Sequence, residues 1–193
     1  MTFIIVLAVA YIVGSIPCSI LLSKVVGFTD PRKGGSKNLG ATNVLRVGGK
    51  KAAFIVLVAD MLKGIIAVGI GIFLSVQGAP LGFVALAAVL GHVFPLFLKF
   101  KGGRGVATAA GGILLLSFSA FVGAIIVWLI VVFVSRYVSL ASMCGAVSAP
   151  IIMLVTGSSM YAFPAFIIAI LIIWRHKENI ERLRKKEESK IKF

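Results

Sequence analysis

The sequence predicts an all-α integral membrane protein with seven transmembrane helices and its functional residues gathered at the cytosolic face. Three observations predict it. Apolar residues make up 60% of the 193 positions and charged ones only 13%, where a soluble domain carries about 25% charged. The apolar residues fall in runs close to the roughly 20 needed for a helix to cross about 30 Å of hydrocarbon. The 20 Lys and Arg against 6 Asp and Glu, a net charge of +14, lie mostly between those runs. In a soluble chain that excess would suggest nucleic acid. Here it is the basic bias of cytosolic loops, and no nucleic-acid partner is expected.

The spans are read at 3–25, 52–76, 80–98, 105–118, 119–135, 138–156 and 160–174. The first is a retained span, because no basic segment precedes it as in a secretory signal. Gly14-Ser15-Ile16-Pro17 interrupts it, and Pro95, Pro150 and Pro164 interrupt later spans. Proline removes an internal hydrogen bond, and the freed carbonyl needs a partner inside the protein. Charge parity decides that 105–135 is two short segments. Loop 27–51, loop 99–104, Arg136 and the tail from Arg175 then share one side. The opposite turns, around Gln77-Gly78, Phe118-Ser119 and Gly157-Ser159, carry no Lys or Arg. A single segment would put Arg136 and the tail outside, against the positive-inside rule. The N-terminus is therefore outside and the C-terminus cytosolic. Residues 1–193 form a single polytopic domain with cytosolic loops 27–51 and 99–104 and a cytosolic tail 175–193. Cys18 and Cys144, distant and in apolar surroundings, define neither a disulfide framework nor a metal site.

Two polar stretches carry the chemistry. In the first, Gly34 to Arg46, Ser36, Asn38, Thr42 and Asn43 supply neutral donors, and Lys37 and Arg46 supply charge suited to phosphate. In the second, Gly102-Gly103-Arg104-Gly105 directly precedes the small-residue helix beginning at Val106. Unpaired N–H groups and the positive dipole end of that helix favour an anion, and Arg104 strengthens the site. Neither stretch fits a P-loop or dinucleotide fingerprint. Asp60 and Lys63 lie one turn apart inside a span, where ionisable groups face a partner or a polar cavity. His92, mid-span, reads as a hydrogen-bonded packing residue. Arg136, Ser139 and Ser142 share one helix face, and His176, Asn179, Arg182 and Leu183 form a stripe on a short surface helix. Acids are too few and too scattered for a Mg²⁺ cluster, so no metal and no cofactor are expected. No nucleophile elbow and no Ser-His-Asp set are apparent.

These segments resemble the bacterial acyl-phosphate:glycerol-3-phosphate acyltransferases. The resemblance rests on Gly14-Ser15-Ile16-Pro17, Gly35 through Arg46, Asp60-Met61-Leu62-Lys63-Gly64, Gly91-His92-Val93-Phe94-Pro95, Gly102 through Thr108, Arg136 through Ser142, and the tail from His176 to Leu183. It runs in order over almost the whole chain. It implies a multi-pass enzyme of the bacterial inner membrane. Such an enzyme passes a fatty acyl group from acyl phosphate to glycerol 3-phosphate, giving lysophosphatidic acid for phospholipid synthesis. Two departures stand out. The family's second loop usually has lysine at the position of Arg104, and its tail often has glycine near the position of Lys186, so a turn there is in question.

The expected site has His176, Ser36 and Asn179 in catalytic roles. Asn38, Thr42, Asn43, Arg46, Lys63, Arg104, Ser139, Ser142 and Arg182 join them in binding substrate. Ser139 and Ser142 line the acyl-phosphate end, and either His176 or a substrate phosphate takes the hydroxyl proton. Glycerol 3-phosphate, acyl phosphate and membrane lipid are the expected partners, with no obligate protein partner. The competing reading is a transporter or binding protein for a small phosphate compound, since broken helices also suit alternating access.

Overall fold

In the computed structural model, which describes residues 2–191, every regular element is helical. Residues 1, 192 and 193, the ends of the expected domain and tail, lie outside the described residues. The helices are α1 (Thr2–Ser15), α2 (Cys18–Val26), α3 (Ala41–Phe73), α4 (Ala79–Val93), α5 (Val106–Leu116), α6 (Phe118–Ser135), α7 (Val138–Val155), α8 (Ala162–Arg175) and α9 (Lys177–Arg184). Short 3₁₀ turns follow α4 at Leu96–Leu98 and precede α8 at Ser159–Tyr161.

Five segments are long and apolar enough to cross a membrane: Thr2–Val26, Ala41–Phe73, Ala79–Leu98, Phe118–Ser135 and Val138–Val155. A sixth is reached by counting Ser159–Arg175 with Lys177–Arg184, a pair bent by 57°. The sequence reading expected seven spans, and the difference begins at α5. Its 11 residues extend about 16 Å, roughly half the hydrocarbon thickness. The break between α5 and α6 does fall where the sequence placed it. Ser117 is extended there (φ −158°, ψ 101°), and its hydroxyl accepts from the Ala120 N–H.

Backbone-to-backbone packing sets the layout. A Cβ on Gly14 would fall on the Ala88 carbonyl, and one on Gly91 would fall on the Tyr11 carbonyl. α1 and α4 therefore meet at glycines. α3 and α5 do the same, through Gly64 against the Thr108 carbonyl and Gly111 against the Met61 carbonyl. Small residues at such crossings let helices approach closely where lipid offers no hydrophobic drive for association. The expected break at Gly14-Ser15-Ile16-Pro17 separates α1 from α2, and side chains cover it. Ser15 Oγ donates to the Tyr11 carbonyl (2.8 Å) and accepts from the Leu96 N–H (3.3 Å), while the Tyr11 hydroxyl donates to the Phe94 carbonyl (2.6 Å).

Of the three later prolines, only Pro95 ends a helix. Pro150 lies inside α7, and Pro164 lies in the first turn of α8, where no intrahelical N–H is needed. The loop expected over 27–51 is helical from Ala41 onward, because Val44, Ala52, Ala53 and Val56 bury one face against Leu22 and Phe28. Gly49 (φ 78°, ψ −178°) bends this segment. Outward faces of the long helices carry exposed Ile, Val, Leu and Phe, such as Phe54, Phe73, Phe133 and Ile170. Facing lipid, that surface has its matching solvent.

The tail turn placed in question by Lys186 is present. Lys186 adopts the left-handed conformation (φ 59°), the Lys186 N–H donates to the Leu183 carbonyl, and the Glu187 N–H donates to the Arg182 carbonyl. This is a Schellman stop formed with lysine where glycine is favoured. Lys186→Gly is therefore expected to stabilise the fold by about 1 kcal/mol by removing a Cβ clash. Thermal unfolding in detergent reads it, and a lower melting temperature would contradict this account of the turn.

Candidate active site

After Pro95 the chain makes its 3₁₀ turn, passes left-handed Lys99 and Phe100 (φ 51° and 61°), and doubles back on the end of α4. Gly102 N–H donates to the Val93 carbonyl and Gly103 N–H to the His92 carbonyl, both at 3.1 Å. Glycine is required at 103, since a Cβ there would collide with His92 Nε2. Gly105 (φ 84°) then starts α5. The N–H groups of Arg104 through Thr108 have no partner among the described residues. Five consecutive free donors at a helix start suit an anion.

The tail comes to this loop. α8 ends and α9 begins at His176, so the bend between them drives its imidazole inward, where it is only 2% exposed. Nδ1 lies 2.7 Å from the Ile172 carbonyl. A carbonyl only accepts, so Nδ1 carries the proton and Nε2 presents a lone pair. Burial pushes the His176 pKa from 6.5 to about 4, with the Arg104 charge helping and the Ile172 bond and Glu188 opposing. The ring is neutral at pH 7. Burial likewise brings Arg104 down to about 10, with Arg182 contributing, so its guanidinium stays charged.

Glu188 ties the cluster together. Its Oε1 accepts from Ser139 Oγ (2.7 Å) and Asn179 Nδ2 (2.6 Å), and its Oε2 accepts from Arg182 Nε (2.7 Å). Burial opposes its ionisation, but those three donors outweigh burial and hold its pKa below the ordinary carboxylate value. The oxygen of the Asn179 amide, Oδ1, is buried without a partner among the described residues. An unpaired buried acceptor is costly unless a ligand satisfies it.

The structure thus joins Arg104, Ser139, His176, Asn179 and Arg182, all expected from the sequence, in one charged cluster. It gives other expected residues different surroundings. Asn43 is buried and spends its amide on its own loop, accepting from the Ser36 N–H (2.7 Å) and donating to the Pro31, Gly34 and Asn38 carbonyls. It shapes the loop and has no donor left for a ligand. Lys63 shares no hydrogen bond or ion pair with the tail cluster among the described residues. Its Nζ lies 2.7 Å from Asp60 Oδ1 and 3.5 Å from His92 Nδ1, all three side chains buried. They wall a separate polar pocket with Ser15, Cys18, Leu39 and Gly103. His92, expected as packing, therefore supports Gly103 from the pocket side. Thr42 and Arg46 are exposed and Ser36 and Asn38 half-buried, and among the described residues none is bonded to the tail. Ser142 Oγ donates to the Val138 carbonyl and accepts from Trp128 Nε1 (3.3 Å), so its hydroxyl is committed.

Ser142 instead lines an apolar groove, with Val106, Ala109, Phe121, Trp128 and Ile172. Sequence reasoning missed two residues. Glu188 carried one signal, an acid within a strongly basic tail. Arg175, whose guanidinium donates to the Gly102 and Gly103 carbonyls, carried none beyond its place beside His176.

A cluster of basic and amide side chains beside an apolar groove, in a bundle of apolar helices, suits ligands that combine an anionic head with a lipid tail. The family model for glycerol-3-phosphate acyltransferase matches residues 4–186, and the chain belongs to this family of acyltransferases. A glycerol-3-phosphate acyltransferase of Coxiella burnetii (strain Dugway 5J108-111) is 53% identical over 193 residues, all of both chains. One from Pasteurella multocida (strain Pm70) is 44% identical over 96% of this chain and 92% of its own. Crystal structures of PlsY (YgiH), an integral membrane glycerol 3-phosphate acyltransferase, superpose closely. Its glycerol 3-phosphate form gives a TM-score of 0.94 at 40% identity, and its lysophosphatidic acid form 0.90 at 39%. Both cover 100% of this chain and 96% of PlsY.

The neutral state of His176 has a direct test. Its folded pKa lies below the unfolded one, so the stability from a neutral ring is complete above pH 6.5 and lost as pH falls towards 4. Labelled-histidine NMR, with the signal assigned by its loss in His176→Asn, is expected to show a midpoint well below 6.5. A midpoint at or above 6.5 would refute a buried neutral ring.

Proposed function

We propose that the protein transfers a fatty acyl group from acyl phosphate to the 1-hydroxyl of glycerol 3-phosphate, releasing phosphate and 1-acyl-glycerol 3-phosphate. The observation that carries this reading is the junction of groove and cluster. Val106 follows Arg104 by two residues, Ser142 lies one turn beyond Ser139, and the carbonyl holding His176 belongs to Ile172, a groove residue. An acyl chain in the groove would therefore bring its phosphate-bearing end to Arg104, Ser139 and His176. The acceptor follows from the relatives, which are named for glycerol 3-phosphate.

In the reaction, the hydroxyl oxygen attacks the acyl carbonyl carbon, the bond from that carbon to the phosphate oxygen breaks, and phosphate leaves with the electron pair. Arg104 and the N–H groups opening α5 stabilise the phosphates and the developing oxyanion. Asn179 Oδ1 and His176 Nε2, both bare acceptors, hold the other hydroxyl of glycerol 3-phosphate, which leaves the attacking O–H free to donate to a substrate phosphate. Burial disfavours a protonated His176 ring, whereas a phosphate ester readily carries a proton near neutral pH. The substrate phosphate therefore takes the proton, and much of the rate comes from holding two reactants together. Ser36, Asn38, Thr42 and Arg46 approach the substrate from loop 27–40 and the start of α3, with Asn43 as the brace. Lys63 supports the glycine loop through His92.

The same reading places the protein in the bacterial inner membrane as one polytopic domain. Its chain crosses seven times, with the short α5 as the fourth crossing and the site on the cytosolic side, supported by the segregation of basic residues.

Two experiments test this. Purified protein is expected to release phosphate from palmitoyl phosphate only when glycerol 3-phosphate is present, and to be inert with acyl-CoA or acylated carrier protein. Equal turnover with acyl-CoA would overturn the donor, and uptake into vesicles without phosphate release would favour transport. Arg104→Ala removes a charge-assisted contact of roughly 1.5–3 kcal/mol, which is about a ten- to hundredfold loss in kcat/KM. It is expected mainly as a raised glycerol 3-phosphate KM, with Arg104→Lys recovering much of it. An unchanged KM in folded Arg104→Ala protein would remove Arg104 from the site.

A further inference from the structure

We propose that Arg175 is a positioning residue that sets the direction of the backbone donors in the Gly102–Gly105 loop, and so governs glycerol 3-phosphate binding without touching the substrate. The inference rests on the reading of that loop as the glycerol 3-phosphate anchor.

Arg175 sits at the last position of α8, half-buried, its guanidinium also 5.6 Å from the Trp174 ring centroid. Its Nη2 donates to the Gly102 carbonyl at 3.2 Å and its Nε to the Gly103 carbonyl at 3.3 Å. A planar guanidinium can hold two adjacent carbonyls at once, which a lysine ammonium does less well. In a trans peptide the N–H points opposite to the C=O of the same unit. Drawing the Gly102 carbonyl to Arg175 therefore turns the Gly103 N–H the other way, where it meets the His92 carbonyl at 3.1 Å. Drawing the Gly103 carbonyl to Arg175 turns the Arg104 N–H the other way, where it stands unpaired at the head of α5.

This tether matters because the loop cannot stiffen itself. His92 Nε2 occupies the space that a Cβ on Gly103 would need, so the position must remain glycine. A glycine peptide rotates more freely than any other. Released from Arg175, the Gly103–Arg104 unit can flip and present its carbonyl oxygen, a partial negative charge, to the substrate phosphate. Arg175 thus converts a necessarily flexible segment into an ordered set of donors. It also brings a positive charge behind the loop, while its place at the end of α8 makes the loop geometry depend on the helix that carries His176.

The test compares Arg175→Met, which keeps much of the side-chain length but no donor, with Arg175→Lys in the full-length enzyme, folding being checked by thermal unfolding in detergent. Arg175→Met is expected to raise the glycerol 3-phosphate KM about tenfold or more, with kcat and the acyl phosphate KM changed by no more than about threefold. Arg175→Lys is expected to fall between Met and native. A purely structural role would lower the yield of folded enzyme and leave its KM alone. A native-like KM in folded Arg175→Met overturns the inference. If that variant does not fold, a native-like KM in Arg175→Lys does so. Arg104→Ala separates the two levels. If it raises the KM while Arg175→Met does not, only the role of Arg175 fails; if neither raises it, the loop is not the glycerol 3-phosphate anchor and both readings fail.

Discussion

Close backbone contact between helices at glycine is the constraint on which this structure depends. Gly14 and Gly91 press α1 onto α4, and Gly64 and Gly111 press α3 onto α5, each against a carbonyl that leaves no room for a Cβ. These contacts do more than pack. They seat the end of α4 and the start of α5 deep in the bundle, where their broken backbone is shielded from lipid. Polar groups freed by the Gly14–Pro17 break and by Pro95 find Ser15, Tyr11 and Leu96 instead of hydrocarbon. A membrane protein can carry an irregular anion-binding loop only where protein surrounds it, and the glycine crossings provide that surrounding.

On this frame the charges divide into two groups. Asp60, Lys63 and His92 are buried together in a neutralised set. Breaking such a set would strand a charge at depth, so its natural role is to hold geometry, here that of Gly103. Arg104, Arg182 and the helix start of α5 are instead an excess of positive character. Without substrate, the only carboxylate bonded to this cluster among the described residues is Glu188, which engages Ser139, Asn179 and Arg182. Glu188 binds the tail over the site and leaves the donors at the head of α5 unpaired. The neutral His176 lies beside them with a free lone pair, an acceptor in a field of donors.

Much of this was legible in the sequence because membrane proteins write their constraints plainly. Apolar length, basic asymmetry and the Gly14–Pro17 interruption led to the helices and to the first break. The recurrence of His176, Asn179 and Arg182 at helical spacing led to the tail cluster. What could not be read is what depends on three-dimensional bonding. Asn43 looks like a ligand until its amide is seen bonding three carbonyls of its own loop, and the Asp60–Lys63 pair, visible as one helical turn in the sequence, gives no sign that His92 joins it from another helix. The expected span 105–118 exceeds α5, Val106–Leu116, because the extended backbone of Ser117 ends the helix two residues before the expected boundary. Lys186 shows the reverse case, where a turn put in question by the absence of glycine is present, two backbone hydrogen bonds offsetting the strain of a left-handed lysine.

The central claim is that phosphate binds where the glycine loop meets the tail, and not in the polar pocket beneath it. A structure of this protein with glycerol 3-phosphate bound tests that most directly. The account predicts the phosphate within hydrogen-bond distance of the Arg104 guanidinium and of the N–H groups opening α5, with Arg175 still on the Gly102 and Gly103 carbonyls. A phosphate seated instead on Lys63 and His92, among Ser15, Cys18 and Leu39, would contradict it.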